Sequence, residues 1–229
     1  MDWRERYERA AARYARLEAT TAKPMSPGRG SPPSAAGAGE TREHDERKLV
    51  ALANAAWAAG LSLLMVGDRW GAWRWLRQAA ARYRESWDAG AGTDAWGRPI
   101  GALKALLIAD AAGREHSLPD NSVLLAARWT LDVGAAEAES PVGRYAGTLA
   151  LLVLGRDAEA GALTATLGDE FPSDVAAALA ALAAHDGEAF GVAVAAVRRS
   201  FEERDDFLED MPVADTALAL DALAERRWG

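Results

Sequence analysis

Between Leu49 and Val66 the chain runs 18 residues without a charge, and this stretch constrains everything else. A run of that length can cross a bilayer, or it is a helix apolar all round and covered by neighbours on every side. Alanine is its commonest residue, Asn54, Gly60 and Ser62 interrupt it, and neither end carries the aromatic anchors of a membrane interface. We read it as a buried helix of a water-soluble protein, with no membrane as partner. Such a helix needs a full layer of other elements around it. A chain of 229 residues, 50% hydrophobic and 26% charged, is large enough and apolar enough to provide that layer.

The surrounding elements are predicted to be helices too. Apolar residues recur at intervals of three and four, and alternation at two is never sustained, so no strand is expected. Starts and stops are marked by proline, glycine and capping residues. They place helices at about 2–22, 41–66, 69–87, 99–112, 119–133, 140–154, 157–167, 171–184, 187–207 and 210–227. In the first of these, Trp3, Tyr7, Ala10, Tyr14 and Leu17 form one stripe at spacings of 4, 3, 4 and 3. Proline, glycine and serine then dominate from Lys23 to Glu40. The expected organisation is an amphipathic helix at 1–22, a flexible linker at 23–40 and a helical domain at 41–229. Removing residues 1–39 is accordingly expected to leave the remainder folded.

Three turns resemble one another: Leu63 to Asp68, Leu151 to Asp157 and Leu182 to Gly187. Each closes an apolar helix with a small Gly/Asp turn and leads into another helix, the pattern of stacked helical hairpins. The spacing from Gly67 to Gly155 is 88 residues and from Asp157 to Asp186 is 29, which is no regular repeat. The fold class expected is all-α, an antiparallel helix-pair stack of degenerate tetratricopeptide-like character.

Charge narrows the choice of partner. The formal net charge is −8, but residues 1–100 carry 16 basic and 12 acidic side chains while residues 101–229 carry 10 and 22. The acidic half repels a phosphate backbone, so nucleic acid is not expected as a partner, and a basic protein is. With no cysteine, disulfides, thiolate metal sites and a cysteine nucleophile are excluded. The charged N-terminal residues do not form a secretory signal, and the cytoplasm is the expected location.

Chemistry-bearing motifs are sparse. His44, His116 and His185 each lie beside carboxylates, but none has a second histidine at helical spacing, so no metal site is expected. Neither a nucleophile–base pair nor a cofactor fingerprint is visible, and no catalytic residue or cofactor is assigned. Two features suggest surfaces. The run from Glu202 to Asp210 holds six carboxylates, Glu202, Glu203, Asp205, Asp206, Glu209 and Asp210, without the alternating ligand spacing of a calcium loop. It is a candidate docking surface for a basic partner. On the helix from Arg69, Trp73, Leu76, Ala80, Tyr83 and Trp87 share one face, whereas Trp75 points away with Gln78 and Arg82. A tryptophan beside an arginine is typical of interface hot spots, so these three residues are partner-binding candidates.

Three segments together resemble a known family: Ala56 to Leu64, Tyr145 to Asp157, and Phe190 to Phe207 followed by Ala217 to Gly229. Their order and character are similar to the immunity protein 49 family of bacterial polymorphic toxin systems, over about residues 50–229. The resemblance implies an all-helical protein that neutralises a co-encoded toxin by binding it, and it carries over no functional residue. The function expected is thus a non-enzymatic protein-binding module, possible cofactors none. Two alternatives stay open. One is an enzyme or small-ligand binder with a pocket between helix layers, using Asp157, Asp186 or Glu188 as acid or base. The other is a structural subunit with an extended apolar patch.

Overall fold

A computed structural model describes residues 2–21, 35–90, 92, 94–114 and 121–229, with the backbone alone at 21 and 35–43. Among the described residues there are ten α-helices and no strand. They are α1 (Trp3–Thr21), α2 (Ala35–Met65), α3 (Arg69–Asp88), α4 (Gly97–Gly113), α5 (Ser122–Asp132), α6 (Pro141–Val153), α7 (Asp157–Thr164), α8 (Ser173–Ala183), α9 (Gly187–Glu202) and α10 (Asp215–Trp228). The fold is all-α, and sequential helices pair as hairpins, α2 with α3, α6 with α7 and α8 with α9.

The three similar turns have one geometry. At each, the residue after the helix is left-handed: Gly67 at φ 84°, Gly155 at φ 71° and His185 at φ 55°. The next amide donates to the carbonyl five residues back: Asp68 to Leu63, Arg156 to Leu151 and Asp186 to Ala181. This is the Schellman closure, which satisfies the orphan carbonyls at a helix end. Asp68 and Asp186 then cap the following helices by accepting from the Gly71 and Ala189 amides.

The uncharged stretch is the buried heart of α2. Its window from His44 to Met65 is long and apolar enough to span a membrane by composition, with 61% of the most apolar segment buried inside the protein. Leu52, Trp57 and Leu61 are at most 3% exposed. Gly60 matters here, since a Cβ on it would lie 2.7 Å from Leu76 Cγ; without one, α2 and α3 approach closely. At the centre lies α4, buried continuously from Ala102 to Ala109 and touching α2, α3, α5, α6 and α10.

The chain closes on itself instead of running on as an open stack. α10 packs on both α4 and α9. The buried Lys104 of α4 donates from Nζ to Asp215 Oδ2 at 2.6 Å and Thr216 Oγ1 at 3.0 Å. Burial, followed by the Asp215 charge, pushes the phenols of Tyr83 and Tyr145 upward, so both stay neutral.

Two boundaries differ from expectation. The linker expected at 23–40 lies outside the described residues as far as 34, and its last positions, 35–40, already belong to α2; alanines 35, 36 and 38 favour the helix there over the intervening glycines. α9 ends at Glu202 rather than near Phe207, and α10 starts at Asp215 rather than Asp210. Pro212 and consecutive carboxylates disfavour continued helix. An extended stretch with a single 3₁₀ turn at Leu208–Asp210 buries Met211 and Val213 instead. Within that turn Glu209 and Asp210 hold φ of 56° and 55°.

The first helix belongs to the body. α1 packs on α2, Tyr14 is 6% exposed, and Trp3, Tyr7, Ala10 and Leu17 lie against the main core. The stripe read from the sequence is a core stripe, and the first helix is docked on the body.

Candidate functional site: the outward face of α3

On α3 three stripes run side by side. Ala72, Leu76, Ala79, Ala80 and Tyr83 are buried against α2 and α4. The second stripe holds Trp75, Gln78 and Arg82, and α1 covers it. Trp75 meets Tyr7 and Tyr14 edge to face, at centroid distances of 6.4 and 5.2 Å. Gln78 Nε2 and Arg82 Nε donate to the Tyr14 hydroxyl at 2.7 and 3.0 Å, and Arg82 also reaches Glu18 at 3.1 Å. Trp75, Gln78 and Arg82, expected to face an outside partner, are thus engaged by the chain's own first helix and stay half-buried. The helical wheel places these residues off the main core face, but only the tertiary fold shows that a second layer covers them.

The third stripe faces outward. It runs Trp70, Arg74, Arg77, Ala81 and Arg84, again at spacings of 4, 3, 4 and 3. Trp70 is 41% exposed and stacks on Trp73 with centroids 4.6 Å apart and planes 9° apart. The Arg77 guanidinium lies over Trp73 at 4.9 Å, and that of Arg84 over Trp129 at 5.1 Å. Arg77 Nη1 also donates to Ser122 Oγ at 3.1 Å. Exposed Met65 and Val66 extend the patch at the α2–α3 turn.

A groove flanks this stripe on each side, with Arg74 and Gln78 forming the ridge between them. The first, of about 510 Å³, lies between α3, α4 and α5; alanines 80, 102 and 126 line it, with Trp73 and Trp129. The second, of about 550 Å³, lies between α1 and α3 beside Tyr7, Trp70 and Trp75. Trp70, Trp73, Arg74, Arg77, Arg84, Leu125 and Trp129 are the site residues that sequence reasoning missed. The regular stripe opposite the core could have disclosed Trp70, Arg74, Arg77 and Arg84, whereas Trp73 shares the core face and Leu125 and Trp129 join them only through the fold.

The acidic run divides in two. Glu202, Glu203, Asp205, Asp206 and Asp210 are exposed, and Glu209 is half-buried. Glu209 is engaged by Arg13, its side chain 14% exposed, and the Asp210 carbonyl accepts from Arg6. Glu209 is thus taken up by the chain itself, and two arginines of α1 reach this turn.

The carboxylates considered as acid or base lie at helix starts. Asp157 opens α7 and binds His185 Nε2 at 2.7 Å and Arg227 Nη2 at 2.5 Å. Asp186 caps α9, and Glu188 is exposed at the edge of an open groove between α8 and α9. Asp186 and Glu188 line that open groove together with Asp174, and Asp157 lies outside it. His44 is exposed, and His116 lies outside the described residues. Among the described residues, no group of three or more His, Asp or Glu is placed to hold a metal. Compared with protein-family models, curated proteins and solved structures, the chain matches none.

Proposed function

We propose that this chain is a non-enzymatic protein-binding module, acting in the cytoplasm, whose partner docks on the outward face of α3. The observation that carries this reading is Trp70, 41% exposed and stacked on Trp73 between arginines. Tryptophan and arginine dominate the energetic centres of protein interfaces, because a large rigid ring and a planar cation lose little freedom on binding. The resemblance to immunity proteins gives the reading its specific form: the partner is a co-encoded toxin, neutralised by being covered. A second reading rests on the exposed Glu202, Glu203, Asp205 and Asp206, which favour a basic partner at the far end of α9.

The test is affinity capture from the native host with tagged protein, Trp70→Ala/Arg74→Glu, and a variant with those four carboxylates changed to amides. The expected result is a partner captured stoichiometrically by the wild type and the amide variant, and reduced at least about tenfold by the α3 variant. Loss with the amide variant alone would move the interface to the acidic surface. A partner retained equally by both variants, or no partner at all, would refute the role of α3.

A further inference from the structure

We infer that the groove between α3, α4 and α5 receives an acidic amphipathic helix of the partner, an assignment that rests on the proposed binding role of α3.

Charge gives the first argument. The chain carries a formal net charge of −8, yet Arg74, Arg77 and Arg84 line this groove and, among the described residues, no carboxylate does. Asp88 comes only to 3.9 Å of Arg84, with both side chains more than half exposed, and such an exposed pair contributes little. Among the described lining residues, Arg74 and Arg84 alone already make the local sign opposite to that of the molecule. A ligand chosen by this groove is therefore acidic.

Preorganisation gives the second. The guanidinium groups of Arg77 and Arg84 lie over the rings of Trp73 and Trp129. Part of their rotamer freedom is already spent in the free protein, which reduces the entropy lost when a carboxylate arrives. Between those rings the lining is alanine, Ala80, Ala102 and Ala126, and small side chains leave depth for an incoming apolar group. Leu125, 57% exposed, offers the opposite wall. The ligand must thus be acidic along one side and apolar along the other.

Backbone chemistry selects the ligand's conformation. Every wall of the groove is a helix, and beyond the first turn of α5 its amides and carbonyls are paired within the helices, so no strand edge is offered for addition. A helix laid in the groove needs none. From Arg74 to Arg84 the wall runs about 15 Å at 1.5 Å per residue. A partner helix alongside would match the three arginines with carboxylates near positions i, i+3 and i+10.

The test uses fluorescein-labelled alanine-based peptides of about 14 residues, with leucines on one face and glutamates at i, i+3 and i+10. A control peptide keeps the leucines and carries lysine in place of glutamate. Fluorescence anisotropy is read against the full-length protein, Arg74→Glu/Arg84→Glu and Leu125→Asp, with helicity of each protein checked by circular dichroism. The glutamate peptide is expected to bind at least about tenfold more tightly than the lysine peptide, and the double arginine variant to reverse that order. Leu125→Asp is expected to weaken the glutamate peptide too. No binding of the glutamate peptide, equal binding of both peptides, or an order unchanged in the double variant would overturn the assignment. Displacement of the glutamate peptide by millimolar citrate but not by excess unlabelled peptide would also overturn it, making the groove a small-polyanion site. If the peptide fails while capture still depends on Trp70, only this groove assignment falls. If capture is indifferent to Trp70 and Arg74, the binding role itself falls, whatever the peptide does.

Discussion

Arg227 is a cation held almost out of water, its side chain 8% exposed, and its partners define what it contributes. Nη1 donates to the Leu152 carbonyl at 2.6 Å and Nη2 to Asp157 Oδ1 at 2.5 Å, while Nε is buried without a hydrogen-bond partner. Asp157 is thus the counter-charge that makes the burial tolerable. His185 is directed to the same carboxylate by its left-handed backbone, in the position where the two related turns have glycine. Burial works against the Asp157 carboxylate, but the hydrogen bonds from His185 and Arg227 outweigh it and hold its pKa below the ordinary aspartate value. We predict that Asp157→Asn lowers stability by about 2–3 kcal/mol, or about 4–12 °C in melting temperature for a chain of this size. The sign of the pH dependence follows from the lowered pKa. The stabilisation is complete above the unfolded value of about 3.9 and disappears as pH falls through the native value. Thermal melts of both proteins at pH 7 and near pH 3 should show a gap that narrows in acid. An equal gap at both pH values would show that the carboxylate charge is not what Arg227 requires.

At the scale of elements, α1 shows what a single sequence can and cannot disclose. Its stripe of Trp3, Tyr7, Tyr14 and Leu17 is plain from spacing alone, as are the positions of the other nine helices, because each is written in a local period of three and four. Where α1 docks is not local information: residues 22–34 separate it from the next described element, and no pattern within it names α2 as its seat or Trp75 of α3 as its neighbour. The same gap hides the contact of Trp75 with α1, since Trp75 leaves the core face of α3 just as an interface residue would. The lapse between α9 and α10 has a different origin. Met211 and Val213 are buried in extended backbone, and a segment chosen by two side-chain pockets has no period to detect. The docking itself makes a prediction. Removing residues 1–21 uncovers Trp75 and strips Arg82 of the Tyr14 hydroxyl and Glu18. This should cost about 2–4 kcal/mol from lost aromatic pairing and burial. Trp75→Ala should then cost markedly less in the truncated protein than in the full chain, a non-additivity that urea denaturation of the four proteins would measure. Additive losses would mean that α1 stabilises the body by some route other than Trp75.

For the whole molecule, the decisive feature is that the end of the chain returns to the middle. An open array of hairpins buries each unit only against its neighbours and needs polar caps at both ends. Here α10 crosses back to α4, which places it between the two halves and leaves α3 and the end of α9 as outward surfaces on one body. Ion pairs mark the seam: Arg226 with Asp110 at 3.2 Å, Arg114 with Glu225 at 2.8 Å, and Lys104 with Asp215 at 2.6 Å. Only the last is deep, with the Lys104 side chain 11% exposed and its ammonium 5.8 Å from the Trp57 ring centroid. The pair is therefore the point at which closure can be weighed. Asp215→Ala leaves a buried ammonium with Thr216 as its remaining close acceptor, and should lower stability by about 2–4 kcal/mol. Adding Lys104→Met removes the stranded charge and fills its path with a flexible apolar chain, so the double variant should regain most of that loss. Guanidinium denaturation of the three proteins would show the order, with a single transition and an unchanged slope if α10 unfolds together with the rest. A separate early transition in Asp215→Ala would instead show that α10 closes the molecule as an independent clasp, held by this pair and released without it. A double variant no more stable than Asp215→Ala would show that the ammonium was never the source of the loss.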